Sequence, residues 1–392
     1  MKGKILAAVL MCTSATLTSC FKDEPLNAEC DIEQAYIHTD HPETMFFRAA
    51  DTLVNVLTSE RDIKFKVLPE ADITAVAPQF RTTEGATVTA NDGKPLDTPR
   101  DFSKGKGAIY TVTSQDGRWS KAYTVTMGVR TFDEFSDLDF ENVRLTSKEC
   151  YRPYYEWVEK ASDGYELDCW ATGNPGFDVS MGEEGDGNHV TADQFPTVSI
   201  ADGHTGKGVK LTTCDTGYFG ALMNMRIAAG NLFLGKFDLD NALTQTLKAT
   251  MFGVPVSKKP LSFSGYYKYK PGKDFQNRAG EIQKGMTDKG DIYAVIYRNT
   301  DSNGKAVTLD GENVRTSSLI VGTAVLDEVR TTDQWTGFHV DFTYSTPLDP
   351  SVLARHGYSL AIVFTSSYKG AQFEGALGST LCIDDVHVAW DE

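Results

Sequence analysis

The chain has 392 residues, a formal net charge of −16 at pH 7 and 11% aromatic residues. An acidic surface of that size repels nucleic-acid phosphates and anionic lipid head groups, which argues against both as partners. The length exceeds what one hydrophobic core usually serves, so two domains are expected.

The first element is a leader. Lys2 and Lys4 precede an apolar run, residues 5–12, and small polar residues follow. A basic start, a short apolar stretch and a small-residue cleavage site predict a secretory signal peptide over residues 1–19. The apolar run is too short for a permanent membrane helix. Leu17-Thr18-Ser19-Cys20 resembles a bacterial lipobox, which implies lipidation of Cys20 as the mature N-terminus. Phe21-Lys22-Asp23-Glu24 resembles the Lys-plus-acid export signal of surface lipoproteins in glycan-foraging gut bacteria. The implied location is the outer membrane, lipid-anchored and at the cell surface, with the periplasmic face as the alternative. The membrane is then a partner through the anchor only. Residues 20–30 read as a polar tether carrying Pro25 and Asn27. Of the seven cysteines, Cys12 leaves with the leader and Cys20 takes lipid, which leaves Cys30, Cys150, Cys169, Cys214 and Cys382. Their number is odd, their spacing wide, and no C-x-x-C pair occurs, so zinc and redox motifs are unsupported and at most two bridges are expected.

Residues 31–130 read as short strands. Segments 52–57 and 63–68 are rich in β-formers, with Pro69 and Pro78 as punctuation. The strongest unit is 108–129, where Tyr110 and Val112 alternate with polar residues before Ser114-Gln115-Asp116-Gly117. Tyr123, Val125, Met127 and Val129 line one face of the return strand. An Asp-Gly turn between two period-2 runs predicts a hairpin. This segment resembles an immunoglobulin-type bacterial sandwich, of the kind found between a lipid anchor and a working domain.

Residues 131–137 form an acidic joint, and longer strands with Gly-rich connections follow. Phe263, Tyr267 and Tyr269 form one face of a strand whose other face carries Ser264, Tyr266 and Lys268. Residues 292–297 are apolar on both faces, as in a central strand covered on both sides. Helical periodicity is weak, near 239–251 and 350–356. Many strands and few helices predict an all-β protein of sandwiches or barrels, with a larger unit over 131–392; the resemblance noted above implies that the first unit is an immunoglobulin-like sandwich.

The larger segment carries several linked motifs. Phe140-Glu141-Asn142 opens it, and Trp170-Ala171-Thr172-Gly173-Asn174-Pro175-Gly176 follows. Next come Asp202-Gly203 with Gly206-Lys207-Gly208, Ala228-Ala229-Gly230-Asn231-Leu232-Phe233, and Lys259-Pro260 with the strand that begins at Phe263. Ser366-Ser367, Gly370, Phe373-Glu374-Gly375-Ala376, Gly378-Ser379 and Ile383-Asp384-Asp385-Val386 close the set. Together these resemble the putative carbohydrate metabolism domain of surface lipoproteins, over about two thirds of the chain. The resemblance implies carbohydrate association and a jelly-roll, galactose-binding-like fold. It supplies no established reaction.

Sugar binding needs aromatic faces and a few fixed hydrogen-bonding groups. Trp170 and Asn174 stand at the Gly-Asn-Pro-Gly loop, and Tyr218, Tyr266, Lys268 and Arg298 complete the candidate set. Trp157 and Tyr297 are further aromatics, while Phe263, Tyr267 and Tyr269 read as core. Glycoside hydrolysis needs two facing carboxyls, for which Glu183, Glu184, Asp186 and Glu374 are available. No nucleophile elbow, zinc-protease helix, phosphate loop or dinucleotide fingerprint occurs. His204 reads as a turn residue. Many jelly-roll carbohydrate modules share a structural calcium between a first-strand Glu and a last-strand Asp. That likeness makes Glu141 and Asp385, with Asp384 beside it, candidate ligands.

The function these features predict is a surface-anchored glycan-binding lipoprotein. It would bind oligosaccharide or polysaccharide and hand it to surface glycan-uptake proteins. The alternatives are a glycoside hydrolase or lyase using a carboxylate pair, and a structural or adhesive surface protein.

Overall fold

Two runs of alternating apolar residues build two separate cores. The computed structural model describes residues 26–46, 49–67, 71–103, 106–128, 131–146, 152–160, 166–182 and 190–391. The leader, Cys20, Leu68, Pro69, Val129, Cys150 and the carboxyls Glu183, Glu184 and Asp186 lie outside the described residues.

The first core lies between a three-stranded sheet, with Ile32–Tyr36 at its centre, and a four-stranded one. The predicted hairpin is present: Ala108–Thr113 pairs antiparallel with Ser120–Gly128, and Gly117 turns the chain at φ +70°. Tyr110, Val112, Tyr123, Val125 and Met127 point into the core. Asp62–Lys66 joins the other edge of the return strand in parallel. The tether ends sooner than its polarity implies. Asn27 donates from Nδ2 to Glu84 O, its backbone carbonyl accepts from Asp116 N, and Cys30 is buried. Cys169, Cys214 and Cys382 are free thiols.

The acidic joint is structural. Asp133 is buried, and its Oδ2 accepts from Ser257 N (2.6 Å), Ser257 Oγ (2.7 Å) and Lys258 N (2.7 Å). Phe132, Phe135, Leu138 and Phe140 enter the second core. That core fills the space between two antiparallel sheets. The six-stranded front sheet runs Thr197–Ile200, Gly208–Thr212, Thr380–Trp390, Pro260–Lys270, Thr332–Asp341, with Asp137–Leu138 paired to the Thr380–Trp390 strand. The nine-stranded back sheet has Tyr358–Thr365 and Asp291–Arg298 at its middle. Ile292, Ala294 and Ile296 face the front sheet, while Tyr293, Val295 and Tyr297 meet a second apolar layer. The two-sided burial expected of this strand is therefore present. Contacts between the two sandwiches include Lys236 Nζ to Glu60 Oε1 at 2.5 Å and Thr58 Oγ1 to Asp240 Oδ2 at 2.9 Å.

Residues 350–356 do contain a short helix, Pro350–Ala354, capped by Asp349. Residues 239–251 do not form an α-helix. Asp238 accepts from Asp240 N and Asn241 Nδ2, and side chains that bond nearby backbone compete with helix formation. Only a 3-10 turn, Thr246–Lys248, precedes the Thr250–Phe252 strand.

One interior group went unremarked in the sequence. Asp288 is buried, and its Oδ2 accepts from Ser367 Oγ (2.6 Å), Ala376 N (2.7 Å) and Ser379 Oγ (2.7 Å). Lys289 N donates to its Oδ1. Thr213 Oγ1 extends the network to Ser366 and Ser367. The serines of the closing motifs are thus the donors that make a buried carboxylate tolerable.

Candidate functional site: an aromatic and basic face

The Pro260–Lys270 strand sends Phe263, Tyr267 and Tyr269 into the core, so Tyr266 and Lys268 stand on the opposite face. Tyr266 stacks on His204 with centroids 3.6 Å apart and rings 9° from parallel. His204 meets Trp335 edge-on at 6.2 Å, and Lys268 Nζ lies 4.5 Å from the Trp335 ring centroid, a cation–π contact. Tyr266 keeps 36% of its surface exposed, and Trp335 is half-buried. Three rings and a cation therefore share one surface of the front sheet.

Two irregularities create this grouping. Across the Thr332–Asp341 strand, Tyr267 pairs with Thr336 but Tyr269 pairs with Thr332, so Asp333, Gln334 and Trp335 together face Lys268. Thr332 and Thr336 both donate to Gln334 O, which fixes the bulge. On the other side, Tyr266 pairs with Asp384 and Ser264 with His387, one residue too many. Asp385 absorbs the extra residue at φ +45°, in the left-handed region that Asp tolerates better than most side chains.

That second bulge aims both aspartates at the turn between Thr197–Ile200 and Gly208–Thr212. Asp384 Oδ2 accepts from Thr205 N at 2.9 Å, and Asp385 Oδ2 lies 2.6 Å from His204 Nδ1, fixing the imidazole over Tyr266. Burial raises the Asp384 carboxyl, opposed by the amide donors of Thr205 and Asp385. Glu141 Oε1 accepts from Lys207 N at 2.6 Å. A Cβ on Gly203 would lie 2.5 Å from Asp384 Oδ2, and one on Gly206 would lie 1.9 Å from Glu141 Oε1. The two glycines of the motif let two carboxylates close on the turn.

The calcium candidates thus meet at one turn, but the turn itself occupies them. Glu141 faces a loop amide and Lys207 Nζ (3.9 Å to Oε2), and Asp385 faces an imidazole. Among the described residues, no group of three or more His, Cys, Asp or Glu is placed to hold a metal ion. In this arrangement Lys207 N and Nζ face Glu141 and the His204 imidazole faces Asp385.

The other predicted ligand residues fall elsewhere. Trp170 is 6% exposed, packs against Phe140 and Phe364, and donates from Nε1 to Glu159 Oε1 at 2.7 Å. Trp170 belongs to a two-residue strand, Trp170–Ala171, that pairs with Leu234 and Phe233 of the back sheet and turns the indole into the core. Asn174 is fully buried, with Nδ2 donating to Thr197 O and Oδ1 accepting from Thr197 N. Both are structural groups rather than sugar contacts. Tyr218 is 83% exposed on the Gly217–Leu222 helix beside exposed Leu222 and Met223, and makes no described contact with the Tyr266 group. Arg298 is exposed at the end of a back-sheet strand. Trp157 and Tyr297 are core. Glu374 pairs with Lys369 at 3.3 Å.

Sequence reasoning missed Trp335 altogether and passed over His204. The alternation of Phe338, Val340 and Phe342 predicts the second half of the strand; the bulge breaks the period before Trp335. For His204, the signal was the Asp-Gly-His-Thr-Gly turn, whose partner Asp385 lies 181 residues away.

A further group of charges lies away from this face. Arg144 is within ion-pair range of Glu156 (3.4 Å), Asp168 (3.5 Å) and Glu166 (3.8 Å). Nearby, burial pushes the Glu159 carboxyl up to about 7, against the pull of the Trp170 donor. A cleft of about 630 Å³ lies elsewhere, lined by Lys258, Lys259, Tyr344 and Leu348 among others. The hydroxyl of its one ring, Tyr344, is committed to Pro260 O. The Tyr266 face, by contrast, groups three rings and a cation.

Comparison with known proteins agrees with this architecture. Residues 139–389 match the model described as putative carbohydrate metabolism domain, and residues 44–127 match the N-terminal domain of surface glycan-binding proteins. A crystal structure described as a putative glycoside hydrolase from Bacteroides thetaiotaomicron is 37% identical, with a TM-score of 0.79, covering 95% of this chain and 99% of that one. A second, described in the same words and from Bacteroides vulgatus, is 37% identical with a TM-score of 0.59, covering 65% of this chain and 98% of that one. No curated protein matches the chain. Among the described residues, no helix is long and apolar enough to cross a membrane. With 251 consecutive positions matched, the chain belongs to the putative carbohydrate metabolism domain family.

Proposed function

We propose that this chain is a surface-anchored lipoprotein that binds a glycan on the front sheet of its larger sandwich and so assists carbohydrate capture. The observation that carries this reading is the grouping of Tyr266, His204, Trp335 and Lys268, held open to solvent by two bulges and a carboxylate-braced turn. Exposed aromatic faces beside fixed polar groups are what a pyranose needs. The family and the surface glycan-binding N-terminal domain support a carbohydrate role.

Binding of the purified full-length chain to a glycan array is the test. Trp335→Ala and Tyr266→Ala should each weaken the best hit at least tenfold, about 1.4 kcal/mol, with a nearly unchanged melt. Unchanged affinity in both variants would remove this face from the binding site. The anchor rests on Leu17-Thr18-Ser19-Cys20. Cys20→Ala should move the protein out of the membrane fraction, since each buried lipid methylene contributes about 0.8 kcal/mol to anchoring. Undiminished membrane association of that variant would refute a lipid anchor at Cys20.

Hydrolysis by a carboxyl pair is the second reading. It draws on the printed description of the Bacteroides relatives and on the Arg144 carboxylate group beside the raised Glu159. Reducing-end release in the array wells would favour it, and none from any bound glycan would set it aside.

A further inference from the structure

The chain is strongly acidic, yet one strip of the front sheet is basic. Lys210 pairs in register with Cys382, and Cys382 pairs with Lys268, so the three form one row across neighbouring strands. Trp335 continues the row over Lys268. Two residues along the same strand as Lys268, on the same face, stands Lys270, which is exposed and pairs with Thr380. Strands lie about 4.8 Å apart, which puts Lys210 and Lys268 roughly 10 Å from each other across the row.

The carboxylates nearest the strip are mostly engaged elsewhere. Asp384 serves the turn amides, Asp385 faces His204, and Glu141 faces Lys207. Exposed Asp202 lies near Cys382, and exposed Asp333 stands in the bulge opposite Lys268 without forming an ion pair with it. Among the described residues, no carboxylate is within ion-pair range of Lys210, Lys268 or Lys270. Cys382, in the middle of the row, senses the same field. Burial raises its thiol, while Lys268 and then Lys210 pull it down, ahead of the opposing effect of Asp202. An acidic protein that gathers ammonium groups without carboxylate partners on the face bearing its exposed rings has local positive charge where a bound chain would lie.

We propose that the ligand of this face is an anionic glycan, a sugar chain bearing carboxylate or sulfate groups. Lys268, Lys210 and Lys270 meet the anions, while Trp335 and Tyr266 contact the sugar rings. The inference rests on the glycan-binding reading and narrows it. Because the protein as a whole repels anions, the attraction is short-ranged and falls as salt screens it.

The experiment uses two matched pairs of polymers with the full-length chain: polygalacturonate against its fully methyl-esterified form, and dextran sulfate against dextran. The expected result is at least tenfold tighter binding to the charged member of one or both pairs, weakened between 50 and 500 mM salt. The pair that responds separates carboxylate from sulfate. Lys210→Gln, which alters charge without touching the rings, and Lys268→Gln should each cost several-fold in affinity for that polymer, with an unchanged melt. The bound polymer should also slow alkylation of Cys382, read by mass spectrometry. Equal or tighter binding to the uncharged members, still lost in Trp335→Ala, overturns the charge inference and leaves glycan binding standing. Binding to none of the four, alongside a Trp335-dependent neutral hit on the array, does the same. Binding to none with no array hit removes both.

Discussion

Replacing Trp170 by alanine should lower the stability of the larger sandwich by about 3–5 kcal/mol, the usual cost of emptying a packed aromatic site. The indole contacts Phe140 and Phe364, and its Nε1 is the described donor to Glu159. Trp170→Phe separates the two contributions, because it keeps much of the volume and removes the donor. Burial already raises the Glu159 carboxyl to about 7, so the folded state holds this proton more tightly than the unfolded chain. Stability from this group is greatest below its ordinary range near pH 4.5 and is lost progressively as pH rises toward 7. Losing the donor raises the carboxyl further, so the penalty of Trp170→Phe should be larger at pH 8 than at pH 5. Denaturant unfolding of wild type, Trp170→Phe and Glu159→Gln at both pH values measures this. Equal penalties at pH 5 and pH 8 would show that the indole acts through packing alone. A nearly unchanged melt for Trp170→Ala would return Trp170 to the surface.

Asp288→Ala should be at least as damaging. Three donors on Oδ2 and one on Oδ1 would lose their acceptor inside the protein. Each hydrogen bond to a charged group contributes roughly 1.5–3 kcal/mol, and a stranded buried donor costs about 1–3 kcal/mol. These values are not additive for neighbours, but a loss of about 4 kcal/mol or more is expected. Asp288→Asn, which keeps the shape and one acceptor oxygen, should lose less. Thermal melts of both variants decide the matter. A drop of only a degree or two for Asp288→Ala would mean that water replaces the carboxylate and that the network is not closed. Ser379→Ala, which removes one donor and leaves Asp288 in place, should fall between wild type and Asp288→Ala.

The amino-acid sequence alone determined the all-β class, the hairpin at Gly117, the two-sided burial of residues 292–297 and the alternating faces of the Pro260–Lys270 strand. These follow from local periodicity and turn chemistry, which a window of a dozen residues contains. The same alternation placed Tyr266 and Lys268 on the solvent side. Family motifs read from the sequence pointed to carbohydrate, but gave their conspicuous tryptophan to the core and their serines to Asp288. Tertiary structure alone decided what stands beside Tyr266. His204 arrives on a turn between two other strands, oriented by an aspartate 181 residues away, and Trp335 reaches Lys268 across a bulge that interrupts its strand's period. Long-range pairing and register shifts depend on the whole sheet, and a bulge moves a side chain to a place that period-2 counting does not reach. Burial of Trp170 and Asn174 was decided in the same way: their segment is polar and Gly-rich in sequence, but Trp170 pairs with Leu234 in the back sheet and Asn174 bonds to the Thr197 strand.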